Sequence, residues 1–211
     1  MKNLIIIGAG GVGKEVAWIV EQINSVKEIY KILGFVDDNK KIWNKAINGY
    51  KVLGGLNYIL ENEVDFEVVI AISNYKVKKN IVNKIRKRDI KYATLIHPSL
   101  NISKEVKIGQ GTIIYEGVII SPNVIIGNHV IVSPKSGIGH DSVIKDYVSV
   151  LWNVSISGND LIEEGALLGS SSTVIQGKII GKSSIVGAGA VVINDVEPKK
   201  TVVGIPAKFI K

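Results

Sequence analysis

The sequence predicts a mixed fold in two parts: a small α/β domain over residues 1–95, then a parallel β-helix over residues 96–211. Three observations carry that reading. The aliphatic stretch L4-I-I-I7 runs into G8-A-G-G-V-G13, which satisfies G-x-G-x-x-G between a strand and a helix. From Ile96 to Val192 every sixth residue is Ile, Leu or Val, 17 positions with no insertion. With about one residue in three aliphatic by chance, so long a run is improbable by many orders of magnitude. Before Ile96 that period is absent and the pattern alternates between strand and helix.

In the first part, residues 4–7 read as a short buried strand, and the glycines as a tight turn opening a helix through about Ile23. I32-L-G-F-V36 is a second strand ending in Asp37-Asp38, and E67-V-V-I-A-I72 is a third. A basic helix follows over residues 75–88, containing K76-V-K-K79 and K84-I-R-K-R88, with Val77, Ile81 and Ile85 packed and the charges solvated. Asn39–Asn48 is polar and reads as a surface loop. Strand, glycine turn, helix and strand make a βαβ unit, so the domain is expected to be Rossmann-like with about three strands. Such a turn lets backbone N–H groups approach a phosphate at the helix N-terminus, and Asp37 lies where these folds bind a ribose or base. The plain alternative is a turn that only packs helix on strand. The domain is too short for two mononucleotide halves, which argues against a nicotinamide cofactor.

The six-residue period is the mark of a parallel β-helix. Each hexad supplies a short strand and a corner, three hexads close a triangular coil, and the aliphatic side chains stack along its axis. Seventeen hexads make nearly six coils about 4.8 Å apart, a prism on the order of 27 Å long. Two residues before each aliphatic position the side chain is usually small or Val, as at Thr112, Ser136, Ala166 and Ser184.

The formal charge of +7 suits nucleic acid, or anionic small molecules such as CoA and nucleotide sugars. No aromatic residues interleave the basic run as stacking platforms would require, so nucleic acid is not expected. Absence of cysteine excludes disulfides and thiolate metal sites and fits a reducing, cytoplasmic setting. The opening MKNLIIIG is too short in its apolar run for a signal peptide, and no run reaches membrane-spanning length.

His140-Asp141 follows the inward Ile138 and is flanked by Gly137 and Gly139. A histidine held in one tautomer by a carboxylate suits a general base near neutral pH. Strand alternation sends neighbouring side chains to opposite faces, so pairing requires a corner conformation; otherwise the two are a surface pair. His97, before Pro98, reads as structural and His129 as exposed. Their spacings of 32 and 11 do not place the three histidines on matching positions of successive coils, so no metal is expected.

Taken together, these features resemble the bacterial left-handed β-helix acetyltransferases that modify nucleotide-linked amino sugars or sialic acid. The likeness rests on the glycine loop with F35-V-D-D38 and I70-A-I-S-N74, the unbroken hexads, G139-H-D141, and the ending V202-V-G-I-P-A-K208. It implies a homotrimer with acetyl-CoA in the groove between prisms, a nucleotide sugar held by the N-terminal domain, and no metal. Residue by residue, it implies His140 as base, Asp141 as its partner, and the Gly158 N–H as oxyanion donor. Ser149, Ser170 and Ala188 match the acetyl-CoA groove. Gly10, Gly11, Val12, Asp37 and Asp38 match nucleotide-sugar contacts, with Ser73 and Asn74 as further candidates. Ser149 stands where several members carry histidine, and Val12 where several carry histidine or an aromatic residue. The expected reaction is N-acetylation of a UDP- or dTDP-linked 4-amino-4,6-dideoxy sugar for surface glycans. The alternatives are O-acetylation of sialic acid, a non-catalytic nucleotide-binding scaffold, or an NAD-dependent oxidoreductase.

Overall fold

In the computed structural model, which describes residues 1–62, 64–86 and 88–210, the chain divides into two compact units, Met1–Pro98 and from Ser99 onward. Lys87 of the basic run lies outside the described residues. No helix among those described is long and apolar enough to cross a membrane.

The first unit is built from β1 (Lys2–Ile7), α1 (Gly11–Val26), β2 (Tyr30–Val36), β3 (Ala46–Ile47), β4 (Tyr50–Gly54), α2 (Asn57–Glu61), β5 (Glu67–Ile70) and α3 (Tyr75–Ile85). Its five-stranded sheet has the order β3-β4-β2-β1-β5, with β1 parallel to both β2 and β5. Leu4, Ile5, Ile6 and Ile7 are all buried, as a continuous aliphatic run in a covered parallel strand should be. The segment expected as a loop, Asn39–Asn48, is mostly turn but ends in β3, which pairs with β4 in a hairpin through Asn48 and Gly49 at φ of 47° and 81°. Asn-Gly is the strongest short hairpin signal, but a two-residue strand such as β3 shows no alternation to read.

The face of α3 also differs from expectation. Val77 is 45% exposed, whereas Lys78 is fully buried in phase with Ile81 and Ile85. Residues 78, 81 and 85 are three and four apart, so the packed stripe runs through the lysine. Burial lowers its amine to about 7.

The second unit is a left-handed β-helix. Two-residue strands recur every six residues from Lys107–Ile108 to Val191–Val192, and as far as Thr173–Val174 each pairs in parallel with the strand 18 residues on, as Ile126 with Ile144 and Ile144 with Ile162. The aliphatic stripe from Ile114 to Val192 is buried throughout. Regular strands do not extend back to Ile102, which is half-buried and outside any strand. Corners are equally regular. From Gly111 to Gly189 the residue three after each inward side chain has positive φ, and those that are not glycine include Asn123, Asp141, Asn153 and Asn159.

Three hydroxyls at the small-residue position, those of Thr112, Ser136 and Ser142, stitch coil to coil, whereas the buried Oγ atoms of Ser172 and Ser184 have no hydrogen-bond partner. Thr112 Oγ1 donates to the Gly127 carbonyl at 2.8 Å and accepts from Val130 N–H at 3.1 Å. Ser136 and Ser142 make the same two bonds further along the prism, Ser142 to the Ser157 carbonyl and from Asp160 N–H. Asp160 then occupies this position itself. Its Oδ1 accepts from Lys178 N–H at 2.6 Å, and its buried Oδ2 has no hydrogen-bond partner. A carboxylate has no hydrogen to donate where a hydroxyl has one. Burial accordingly raises Asp160 to about 6 against the pull of the Lys178 and Gly177 N–H groups.

The folded protein therefore holds this proton up to about pH 6 while the unfolded chain loses it near pH 4, and stability falls as pH rises through that window. Asp160→Asn supplies a neutral donor and acceptor. It should stabilise the protein by roughly 1–3 kcal/mol at about pH 8 and much less at about pH 4, measured by denaturant unfolding. Destabilisation at both pH values would contradict this account.

Candidate active site

Two sites stand out, one in each unit. In the second, Gly137–Ile138 pairs with Ile119–Ile120 on one side and Ser155–Ile156 on the other, so the following corner is held by both neighbouring coils. Ile138 points inward. Asp141 takes φ of 60°, breaking strand alternation and bringing its carboxylate beside the preceding imidazole. His140 Nδ1 lies 2.7 Å from Asp141 Oδ2, and Asn123 Nδ2 donates to Asp141 Oδ1 at 3.0 Å. These two bonds, His140 first and Asn123 second, hold Asp141 below the ordinary carboxylate range. With hydrogen on Nδ1, the Nε2 lone pair is left to accept a proton.

Gly158 sits one coil on from His140 and is buried. A Cβ built on it would fall 2.6 Å from His140 Nε2 and 2.7 Å from Cε1. The ring thus lies over the glycine, and any side chain there would collide with it. Ser170 and Ala188 share a second corner one coil apart, half-buried and exposed respectively, while Ser149 is buried in a strand between Ile131 and Leu167.

His129 is buried, contrary to expectation. It stacks on Tyr147 one coil along, centroids 5.3 Å apart and planes within 10°. Its Nδ1 lies where a Gly111 Cβ would be, 2.4 Å away, so that glycine makes room for the ring. His97 is buried as well. Among the described residues no three His, Asp or Glu side chains form a metal-binding group.

In the first unit, the N-terminus of α1 opens on a cleft of about 580 Å³ lined by Gly10, Gly11, Lys14, Asp37, Asn39 and Asn48, among others. Gly10 provides no side-chain cap and the first turn has no acidic residue. Free helix-end N–H groups and Lys14 together make the mouth of the cleft attractive to an anion. Cβ atoms on Gly10 or Gly11 would meet nothing within 4 Å, whereas one on Gly13 would lie 2.0 Å from the Gly8 carbonyl oxygen. The first two glycines leave space for a ligand; Gly13 lets helix and strand touch. Asp37 ties the loop to β2, accepting from Ala9 N–H at 3.0 Å and Asn39 N–H at 2.9 Å.

Other expected contacts do not gather here. Val12 is half-buried outside the lining, and Asp38 Oδ1 accepts from Leu56 N–H at 2.8 Å. Asn74 caps α3 by accepting from Val77 N–H at 3.1 Å, and Ser73 is also outside the lining. Lys14, Asn39 and Asn48 were not anticipated. The lysine follows the glycine motif directly, and the two asparagines belong to the segment read as a surface loop.

A family model described as PglD N-terminal domain matches residues 3–85, and one described as bacterial transferase hexapeptide (six repeats) matches residues 105–140. The chain is similar to GDP-perosamine N-acetyltransferase of Escherichia coli O157:H7, 32% identical over 185 residues, which is 87% of this chain and 82% of that protein. It is 33% identical over 118 residues to UDP-N-acetylbacillosamine N-acetyltransferase of Bacillus subtilis (strain 168), 54% of this chain and 51% of that one. Among solved structures, the acetyltransferase domain of PglB from Neisseria gonorrhoeae FA1090 in complex with acetyl coenzyme A matches with a TM-score of 0.90 and 27% identity over 99% of both chains.

Gly158→Ala should displace the imidazole without unfolding the prism, because the colliding atoms end an exposed side chain. A crystal structure of the variant should show the 2.7 Å His140–Asp141 contact broken, with stability within about 1 kcal/mol of wild type. An unmoved ring would refute the steric reading.

Proposed function

The chain belongs to the hexapeptide-repeat N-acetyltransferases that act on nucleotide-linked amino sugars, and we propose that it transfers the acetyl group of acetyl-CoA to the amine of a 4-amino-4,6-dideoxy sugar carried on a nucleoside diphosphate. The observation that carries the mechanism is the fixed His140–Asp141 pair, 2.7 Å apart with the ring over Gly158. The amine lone pair attacks the thioester carbonyl while His140 Nε2 takes the N–H proton. The oxyanion receives the Gly158 N–H, a stabilisation that is usually the largest single term in acyl transfer. Collapse breaks the C–S bond, and the imidazolium returns the proton to the leaving CoA thiolate. Asp141 stays ionised throughout, which the bonds from His140 and Asn123 favour.

The glycine-loop cleft supports the acceptor's place: helix-end N–H groups and Lys14 for the diphosphate, Asp37 for the ribose or base. Ser149, Ser170 and Ala188 are the proposed acetyl-CoA contacts. The reading includes a cytoplasmic homotrimer whose acetyl-CoA lies between neighbouring prisms. The relatives name GDP- and UDP-linked sugars, so the nucleotide is best tested across UDP, dTDP and GDP.

Free-thiol release by purified protein with acetyl-CoA and UDP-, dTDP- and GDP-linked 4-amino sugars, plus sialic acid, tests the proposal. One amino sugar should be turned over, and His140→Ala should lose roughly 10²–10⁴-fold of that rate. Near-normal turnover by the variant would discard His140 as base. Turnover of sialic acid alone would discard N-acetylation.

A further inference from the structure

The corner that carries Asp141 holds a second polar group with no part in the proton transfer above. Residues 123, 141, 159 and 177 stack there one coil apart, all with positive φ. Asn123 Nδ2 donates to Asp141 Oδ1 at 3.0 Å while Oδ2 meets His140 Nδ1 at 2.7 Å, so each carboxylate oxygen has its own side-chain partner. We propose that Asn123 is a positioning residue for the His140 base, acting by fixing the plane of the Asp141 carboxylate; this rests on the assignment of His140 as base.

The carboxylate torsion of an aspartate is soft and broad, so one hydrogen bond leaves the group free to swing. His140 and Asp141 are 54% and 45% exposed, and water competes for each oxygen. A swing takes Oδ2 off the Nδ1–H direction and removes the preference for hydrogen on Nδ1. The other tautomer carries hydrogen on Nε2 and cannot accept the amine proton. Asn123 therefore sets the fraction of enzyme with a competent base. It should act on kcat and leave ligand affinity alone. Left-handed φ by itself does not demand asparagine, since the same corner is glycine at Gly177.

Asn123→Gly removes the amide while keeping a residue at ease with a φ of 63°, so the coil is retained. Asn123→Asp keeps the shape but replaces the donor with a second carboxylate. Long-range ¹H–¹⁵N correlation spectra of the histidine rings, recorded above the imidazole titration range, read the tautomer directly. His140→Gln assigns the signal. Wild type should show hydrogen on Nδ1, and both variants a mixture of tautomers. Turnover should fall roughly 5–20-fold in Asn123→Gly, with KM for acceptor and acetyl-CoA within about twofold. Wild-type tautomer and kcat in Asn123→Gly, or a loss confined to KM, would overturn the proposal. The ring spectra need no substrate. If wild type transfers no acetyl group yet Asn123→Gly still changes the tautomer, the transferase reading falls and the positioning contact stands.

Discussion

Everything in the second unit depends on the register between coils. Parallel pairing at an offset of 18 residues puts each hexad over an identical position, so one left-handed corner per hexad propagates from Gly111 to Gly189. An L-residue in that conformation costs about 1–2 kcal/mol. Backbone bonds between coils, such as Gly139 N–H to the Ile156 carbonyl at 2.8 Å, together with the buried aliphatic stack, offset the cost. At one corner the left-handed residue is Asp141. The conformation that closes the coil is also the one that turns its carboxylate towards His140. Architecture and chemistry meet in a single φ angle.

The glycine loop of the first unit divides its labour in a comparable way. Gly13 is needed because its α-carbon sits against the Gly8 carbonyl; this is packing, and it would be required with no ligand. Gly10 and Gly11 face open space, so no packing demand accounts for them. Their lack of side chains leaves the end of α1 uncapped. A natural helix usually satisfies those N–H groups with a capping side chain, and an uncapped end lining a cleft with Lys14 is suited to an anionic ligand.

The long aliphatic period was readable because it is a property of many residues that all agree. The His140–Asp141 pairing was not, because it depends on one residue's choice between extended and left-handed backbone. A second period did carry that information. Asn, Asp or Gly recurs three residues after the inward side chain, at Gly117, Asn123, Asp141, Asn153, Asn159 and Gly165 among others, but it lies in polar positions that a search for apolar rhythm passes over. His129 shows the limit of such reading. It occupies the same left-handed position, yet a glycine before it and a tyrosine after it, each one coil away, bury the ring. In the first unit, the hairpin at Asn48–Gly49 and the buried Lys78 were missed for opposite reasons. The first strand of the hairpin was too short to show a pattern, and the lysine occupied an apolar phase that its charge disguised.

How a half-exposed pair could serve as the proposed base follows from the size of its electrostatics. Two unit charges about 4 Å apart interact by only about 1 kcal/mol in water, but by about 4 kcal/mol where the effective dielectric is near that of a protein surface. With His140 54% and Asp141 45% exposed in the single chain, water reaches both groups, and what the contact fixes is the tautomer. Covering the pair with a ligand or a neighbouring prism would exclude water and strengthen the same contact without moving an atom. The base would then be least effective when the site is empty and most effective when donor and acceptor are both in place. A rigid coil is well suited to this, because the geometry is held in advance and only the surroundings need to change.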